Sequence, residues 1–298
     1  MKLAALDLGS NSFHLLVAKT DGVSQLSKIG SYKQVLQLGA VVRERGQLSE
    51  EAFARALACV RRAATIAADL GVAKLATVAT SALRDAGNGS AFCDECSLQL
   101  GVEVELLSGD DEARLAYLGA QSALEPTQGR VLVADLGGGS LELAVGDGAI
   151  CRDVRSLPFG FLRLAPAFPM TTPSGPARLS RYVQLACESA CWQLGRFDTL
   201  LLAGGTARAI GKLLGGGVAG ASWAQVLELC RHLSRCRVDE LLARGVAPAR
   251  ATTLAAGAAV LAGLVAAFGQ RQLRISPRGL REGVIVRELS RRAPTRAA

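Results

Sequence analysis

The chain has 298 residues and a net charge of +8; half of its residues are apolar, but only 4% are aromatic. This length is enough for two domains of ordinary size, and the composition is that of a soluble globular protein. The positive charge favours anionic partners, but the scarcity of aromatic residues and the lack of a zinc-finger pattern argue against binding to nucleic acid.

The first half of the sequence predicts strands that alternate with helices. Residues 2–8 are apolar and lead through the turn "GSNS" into a second apolar strand. A long helix is predicted over 48–72, with Ser49 as its N-cap and Gly71 at its end. The other predicted elements of this half are a strand over 74–82, a helix over 88–100, the strand "VEVELL" and a helix whose first turn contains Asp110, Asp111 and Glu112.

The second half continues this alternation after the stretch "EPTQG", residues 125–129, which is typical of a domain boundary. Strands are predicted at "RVLVADL" and "TLLLA", and a loop over 165–176. The pattern predicts an α/β chain with partly parallel sheets and two domains, 1–124 and 125–298, whose last helix is free to pack back on the first domain. Helices are predicted over 178–196, 205–214, 222–233, 238–244, 248–268 and 279–291.

One uncharged segment, residues 251–270, is long enough to cross a bilayer. Its many alanines and its two glycines, Gly257 and Gly263, add little to the free energy of membrane insertion. We therefore expect a buried helix and no membrane association. The N-terminus does not resemble a signal peptide, because Asp7 interrupts the apolar run, so a cytoplasmic location is expected.

Free thiols are expected in that compartment for the eight cysteines. The pairs in "CDEC" (93–96) and "CESAC" (187–191) suggest metal binding, but neither has an adjacent histidine, since His14 and His232 are the only two in the sequence. Buried or half-buried thiols are therefore predicted. The basic tail is predicted to be a solvated helix end rather than a nucleic-acid arm, and its arginines are Arg287, Arg291, Arg292 and Arg296.

An internal repeat relates the two halves of the sequence. Residues 6–17, "LDLGSNSFHLLV", align without gaps on residues 134–145, "ADLGGGSLELAV". Asp7 matches Asp135, and each copy consists of an aspartate at a strand end, a turn of small residues and a returning strand. The repeat predicts duplicated halves that face each other.

The turns of this repeat have the chemistry of an anion site. Glycine and serine expose backbone N–H groups that bind phosphate oxygens, and the adjacent Asp7 and Asp135 suit a hard cation such as Mg²⁺. A third turn, "GGT" at 204–206, follows a strand and precedes a helix, whose positive end would point towards a phosphate or nucleotide. The acids at 110–112 fit either stabilisation of a helix N-terminus or polarisation of a water, and the sequence leaves both open.

Seven stretches together resemble the exopolyphosphatase/guanosine pentaphosphate phosphohydrolase (Ppx/GppA) family, within the actin-like, sugar-kinase and Hsp70-type ATPase superfamily. In chain order they are "ALDLGSNSFHLLV", "VATSALRDAGN", "LSGDDEARLAYLG", "VADLGGGSLEL", "SLPFGFLRL", "LLAGGTARAI" and "ISPRGLREGVI". The resemblance implies two ribonuclease H-like (actin-like ATPase) domains with a cleft between them, in the short form without further C-terminal helical domains. It also implies a homodimer that removes the terminal phosphate of inorganic polyphosphate, or of guanosine pentaphosphate, with Mg²⁺.

The resemblance also implies roles for particular residues. Glu112 resembles the general base, and Asp135 and Glu142 resemble the carboxylates that position metal and water, with Asp7 as a further metal residue. The family's Glu-Glu pair is Asp111-Glu112 here, which keeps the base but changes its neighbour. Together with the third turn, the expected phosphate-binding residues are Ser10, Asn11, Ser12, Arg84, Gly137, Gly138, Gly139, Ser140, Gly204, Gly205 and Thr206.

Other functions fit the same residues. A kinase, ATPase or nucleotide phosphatase of the superfamily would use these turns for ATP, and a non-catalytic sensor would bind polyphosphate or guanosine tetraphosphate without cleaving it. The acids Glu112 and Glu142 argue against the sensor. The sequence does not rank polyphosphate against guanosine pentaphosphate, because both present the same terminal group.

Overall fold

A computed structural model of the chain describes residues 1–21, 25–124, 129–191, 194–215, 222–269 and 272–291, without the side chains of residues 190 and 191. The chain divides into two compact units. The first unit comprises Met1–Ala123 together with the segment that begins at Arg278, and the second comprises Leu124–Pro277. Residues 278–291, which the sequence-based boundaries included in 125–298 with a last helix free to pack back on the first domain, lie in the first unit. The expected boundary stretch, apart from Gly129, lies outside the described residues.

The strands of the described chain are numbered in order. They are β1 (Lys2–Leu8), β2 (Ser12–Thr20), β3 (Leu26–Val35), β4 (Lys74–Ala79), β5 (Val104–Leu106), β6 (Val131–Leu136), β7 (Leu141–Asp147), β8 (Ile150–Leu157), β9 (Thr199–Ala203) and β10 (Gln272–Ile275).

The helices are numbered in the same way, and a 3₁₀ turn occupies Ala165–Ala167. They are α1 (Leu38–Arg45), α2 (Glu50–Asp69), α3 (Ser81–Asp85), α4 (Gly89–Leu100), α5 (Gly109–Gln121), α6 (Phe161–Leu164), α7 (Gly175–Cys191), α8 (Gly204–Leu213), α9 (Trp223–Leu233), α10 (Val238–Ala243), α11 (Pro248–Phe268) and α12 (Leu280–Ser290).

Each unit contains a five-stranded sheet among its described residues, and the two sheets have the same topology. The order is β3-β2-β1-β4-β5 in the first unit and β8-β7-β6-β9-β10 in the second. In each unit the first hairpin is antiparallel, and its first strand pairs in parallel with the strand on its other side. The structure therefore confirms the predicted α/β class, and the repeat corresponds to the β1–β2 and β6–β7 hairpins.

Most long helices form where the sequence predicts them. In α2 the side chain of Ser49 accepts a hydrogen bond from the Ala52 amide at 3.2 Å, and Gly71 follows the helix with φ of +63°. Helix α7 differs from its prediction, because it begins at Gly175 rather than 178 and has Pro176 in its first turn, where the missing N–H is no loss. Helix α3 was not predicted: the strand over 74–82 ends at Ala79, and its last residues turn into this helix.

Helix α12 packs closely on α5 within the first unit. A Cβ placed on Gly283 would lie 1.8 Å from the carbonyl oxygen of Leu115, so these two backbones are in direct contact. The buried carboxylate of Glu288 on α12 pairs with Lys74 and with Arg291. Burial acts to raise the pKa of the Glu288 carboxyl, but the hydrogen bond and charge of Lys74 and the charge of Arg291 outweigh it, so this pKa lies below its ordinary value.

The apolar segment predicted as a buried helix is α11, in the second unit. By length and composition this helix could cross a membrane, but 78% of its most apolar window is buried inside the protein. Gly263 lets it approach α7, since a Cβ there would lie 2.3 Å from the carbonyl oxygen of Ser180. The prediction of a buried helix is therefore confirmed.

The cysteines are buried or half-buried where the structure describes them, as predicted. Burial raises the pKa of the Cys93 thiol to about 11 and that of the Cys230 thiol to about 12, so both stay protonated at neutral pH. The side chain of Cys191 lies outside the described residues. Of the basic tail, Arg292 and Arg296 also lie outside them.

Candidate active site

The triple-glycine turn between β6 and β7 is held from one side by helix α6. The carbonyl oxygens of Gly137 and Gly138 accept hydrogen bonds from the amides of Phe161 and Leu162, at 3.3 and 2.9 Å. The guanidinium Nε of Arg163 donates to the carbonyl of Gly139 at 2.9 Å. In a trans peptide the N–H points away from the preceding C=O. The N–H groups of the residues that follow, Gly138, Gly139 and Ser140, therefore point away from α6.

The turn between β1 and β2 in the first unit is held in the same way. The carbonyl of Ser10 accepts from the Gly39 amide at 2.9 Å, and the carbonyl of Asn11 accepts from the amides of Leu36 and Gln37, both at 3.0 Å. Gln37 has φ of +54°, an uncommon conformation for a residue with a side chain. The amides of Asn11 and Ser12 are therefore turned away from the segment 36–39, as their counterparts are in the second unit.

The side chains of the first turn differ in what they contact. Ser10 Oγ bonds to Ser81 Oγ at 2.7 Å and accepts from the Ala82 amide at 3.0 Å, so it fixes the start of α3. The buried side-chain oxygen of Asn11 has no hydrogen-bond partner among the described residues. A buried acceptor of this kind needs a donor from water or a bound group. Asn11 therefore fits a ligand contact better than Ser10 does.

Asp135 and Glu142 are directly opposite each other on β6 and β7. Directly paired residues of antiparallel strands have their side chains on one face of the sheet, about 5 Å apart at Cβ. Glu142 is 3% exposed and accepts a hydrogen bond from Ser156 Oγ at 2.9 Å, whereas Asp135 is half-buried. Two carboxylates thus lie side by side at the strand end that leads into the triple-glycine turn.

The third turn, at the start of α8, lies against Asp135. Gly204 has φ of +89°, and a Cβ there would lie 2.6 Å from Asp135 Oδ1, so glycine is required both by conformation and by space. Thr206 is fully buried with its side chain against Gly257 of α11. The Oγ1 of Thr206, like the side-chain oxygen of Asn11, has no hydrogen-bond partner among the described residues.

Two arginines that the sequence did not single out accompany this turn. Arg250, in the first turn of α11, packs its guanidinium against Gly205, since a Cβ placed on Gly205 would lie 2.3 Å from it. Burial lowers the pKa of Arg250, and the nearby charge of Arg208 lowers it further. The start of α8 thus combines a helix N-terminus with two neighbouring cations, which is an environment that favours an anion.

Asp7 of the first unit has a different neighbour from that of Asp135. Its carboxylate lies close to Gly9, and His14 is its partner across the β1–β2 pair. The imidazole Nδ1 of His14 contacts the guanidinium of Arg281 on α12. No local pattern in the sequence indicates this contact, because 267 residues separate the two side chains.

The three acids at the start of α5 are distinguished by burial. Asp110 and Asp111 are exposed, and Asp111 accepts a hydrogen bond from the N-cap Ser108 at 2.6 Å, so it stabilises the helix N-terminus. Glu112 is 8% exposed, and its Oε2 lies 3.2 Å from Nη1 of Arg84. The same nitrogen donates to the carbonyl of Leu107 at 2.7 Å, which fixes the guanidinium. The structure thus brings together two predicted site residues, Arg84 and Glu112.

The fold defines the class of protein. A crystal structure of a Ppx/GppA family member from Aquifex aeolicus matches 98% of this chain and 98% of its own, with a TM-score of 0.82 and 28% identity. An exopolyphosphatase from Cytophaga hutchinsonii matches 97% of this chain and 98% of its own, with a TM-score of 0.84 and 23% identity. The chain has the two-domain actin-like fold of these structures.

Sequence comparison identifies the family. The Ppx/GppA phosphatase family profile matches residues 16–292. Exopolyphosphatase 1 of Mycobacterium tuberculosis is 31% identical over 98% of this chain and 90% of its own length, and that of Mycobacterium leprae is 30% identical over 98% and 91%. The chain belongs to the Ppx/GppA phosphatase family and is an enzyme of the phosphohydrolase class.

Proposed function

We propose that this chain is an exopolyphosphatase, which hydrolyses the terminal phosphoanhydride bond of inorganic polyphosphate. The observation that carries the proposal is the turn at 137–140, whose carbonyls are bound by α6 and Arg163 so that its amides point the other way. Successive amides arranged like this bind anionic oxygens. The mycobacterial relatives named exopolyphosphatase support the choice of substrate.

The terminal phosphoryl group is held by backbone amides in this proposal. Gly138, Gly139 and Ser140 donate N–H groups to its oxygens, and the turn of Asn11 and Ser12 offers donors of the same kind within the first unit. Glycine allows the backbone to approach the phosphate closely. Phosphoryl transfer depends mainly on positioning and on stabilisation of charge, so a rigidly held turn supplies much of the catalysis.

Glu112 is the proposed general base. A water attacks the terminal phosphorus and gives its proton to the Glu112 carboxylate, while the bond from phosphorus to the bridging oxygen breaks. The products are orthophosphate and a chain shorter by one phosphate. Among the acids of this helix turn Glu112 is the buried one, and Arg84 fixes the position of its Oε2. A positioned carboxylate of this kind contributes about 10²- to 10⁴-fold in rate.

The residues present fit a Mg²⁺ ion. Asp135 and Glu142 offer two carboxylates on one face of the sheet, and Mg²⁺ needs only one or two protein carboxylates because it keeps several of its waters. Asp135 and Glu142 would hold the ion, with Asp7 as a further predicted carboxylate, and the ion would neutralise charge on the phosphoryl oxygens. Glu142, fixed by Ser156, would also orient water.

A second candidate substrate is guanosine pentaphosphate. Its 5′ end presents the same terminal phosphoryl group, and the cations Arg208 and Arg250 beside Gly205 would suit the additional phosphates of a nucleotide. ATP serves as the third substrate of the test, because a nucleotide phosphatase or kinase of this superfamily would use it.

The test measures orthophosphate release from polyphosphate, guanosine pentaphosphate and ATP, with Mg²⁺ and with a chelator. We expect polyphosphate with Mg²⁺ to give the highest kcat/KM. Glu112→Gln should lower kcat by about 10²- to 10⁴-fold, because the base is lost. The matched control is Asp110→Asn, an exposed acid of the same helix turn, which should stay within about twofold. Equal activity of Glu112→Gln and the control would contradict the assigned base.

A further inference from the structure

A second cationic pocket lies in the second unit, away from the glycine turns. It has a volume of about 200 Å³. One wall is a face of α7, the other is the C-terminal end of α9, and the floor is a residue of α11. We call this cavity the arginine pocket. Its lining residues include Arg181, Arg231, Arg235, Ser180, Gln184 and Ala262.

The walls of the arginine pocket are firmly held. A Cβ on Gly263 would lie 2.3 Å from the Ser180 carbonyl oxygen, so α7 and α11 touch beside the floor residue Ala262, which is 1% exposed. At the other wall, buried Ser234 donates through Oγ to the carbonyl of Arg231 at 2.8 Å and fixes the end of α9. The helices that form the walls are therefore fixed by packing and hydrogen bonding, and they carry the three exposed arginine side chains.

The charge of the pocket is uniformly positive. Three arginines line it and no carboxylate does, and within the described part of the chain none of the three forms an ion pair. Arg231 and Arg235 lie where cations stabilise a helix C-terminus. That explanation does not extend to Arg181, which comes from a different helix. Three guanidinium groups around one cavity repel each other, and a bound anion relieves this repulsion.

The pocket is separate from the turn at 204–206. Helix α11 connects the two places: Arg250 lies against Gly205, and Ala262 forms the floor of the pocket twelve residues later. At 1.5 Å per residue the two points are about 18 Å apart along the helix axis. One small anion therefore cannot occupy both, but a long polyanion can contact both.

We propose that the arginine pocket is a second phosphate-binding site, which takes an inner segment of the polyphosphate chain whose end is cleaved elsewhere. This identification of the ligand rests on the proposed function. The chemistry itself is that of phosphate, because planar guanidinium groups bind phosphate oxygens in a bidentate manner. Ser180 supplies a neutral donor at the rim, where the side-chain amide of Gln184 donates to Glu188 at 2.9 Å. A cavity of 200 Å³ has room for several water-sized groups.

The test compares binding by two triple variants in the full-length chain carrying Glu112→Gln, so that substrate is not consumed. The pocket variant is Arg181→Gln/Arg231→Gln/Arg235→Gln. The control is Arg152→Gln/Arg178→Gln/Arg244→Gln, which removes the same charge from exposed positions of the same unit. Calorimetric titrations use long-chain polyphosphate in one series and orthophosphate in another, each at low and high salt.

We expect the pocket variant to bind long-chain polyphosphate at least tenfold more weakly than the control, which stays within about twofold of the parent. If the pocket variant loses affinity for polyphosphate but not for orthophosphate, the ligand is a segment of the chain. If it loses affinity for both equally, the ligand is a single phosphate group. Equal weakening in both variants would show general surface charge and overturn the proposal. Because binding is measured without turnover, this result is independent of whether the parent chain hydrolyses polyphosphate.

Discussion

Replacing Gly160 by alanine tests whether the shape of the turn at 137–140 controls activity. A Cβ on Gly160 would lie 2.2 Å from the carbonyl oxygen of Gly138 and 2.3 Å from the carbonyl carbon of Gly139. Gly160 itself has φ of −62° and ψ of 145°, which alanine adopts without strain. The substitution therefore acts only by pushing on the turn, which has to move by about 1 Å to restore normal contact distances.

A displacement of this size has two measurable effects. Misplacement of a binding group by about 1 Å costs on the order of 100-fold in rate, or about 2.7 kcal/mol in kcat/KM. Overpacking costs a further 1–3 kcal/mol or so of folding stability. We expect Gly160→Ala to fold with a lowered Tm and to show about 1% of the parent kcat/KM for polyphosphate.

The assay is the initial rate of orthophosphate release at several polyphosphate concentrations, with Tm measured on the same samples. The matched control is Gly211→Ala in α8, where a Cβ would lie 3.3 Å from the flexible end of Ile275 and alanine favours the helix. The control should keep its activity within about twofold. Parent-like kcat/KM in a Gly160→Ala protein would refute the role assigned to the turn.

Substitutions at Arg84 and Glu288 test the first unit. Arg84→Ala should lower kcat at least tenfold, because the Glu112 carboxylate loses its fixed partner. Arg84→Lys should recover only part of the lost kcat. An unchanged kcat in both variants would contradict this role of Arg84. Glu288→Gln should lower the free energy of unfolding at pH 7 by about 1–2 kcal/mol, and the exposed Glu51→Gln by less than about 0.5. Because the pKa of Glu288 is lowered by folding, its contribution is present above about pH 4.5 and is lost as pH falls through the folded value. Urea titrations at pH 7 and pH 4 measure this, and an equal difference at both pH values would contradict it.

The two hairpins could be predicted from sequence because their chemistry is local. Alternating apolar residues define the strands, and the small-residue turns in "GSNS" and "GGGS" lie between them, so type and position follow from a few neighbouring residues. In the structure the two copies have matching registers, because Asp7 pairs with His14 and Asp135 with Glu142. Helix α2 was equally accessible, since Ser49 and Gly71 mark its two ends.

Edge elements were missed for a physical reason. Strand β3 lies at the edge of its sheet, and its exposed polar residues give it little apolar pattern. Helix α1 follows Gln37, whose side chain forms no cap and whose φ is positive, so the usual start signal is lacking. The β3–α1 connection nevertheless holds the carbonyls of the first turn, and its role emerges only from the folded structure.

The candidate site could be predicted as a list of residues but not as a set of contacts. The sequence proposed Glu112 among three acids, and burial is what separates it from Asp110 and Asp111. Arg250 was not predicted as a site residue, because it lies in the first turn of an alanine-rich helix far along the chain from Gly205. Such pairings depend on tertiary packing, for which local sequence patterns carry no information.

Phosphorus NMR of long-chain polyphosphate incubated with the chain and Mg²⁺ tests the central claim most directly. Removal of phosphate from chain ends predicts that the orthophosphate signal grows from the start, at the expense of the internal phosphates, while the signal of terminal phosphates stays constant. A rise in terminal phosphates without orthophosphate, or a spectrum that does not change, would contradict the account.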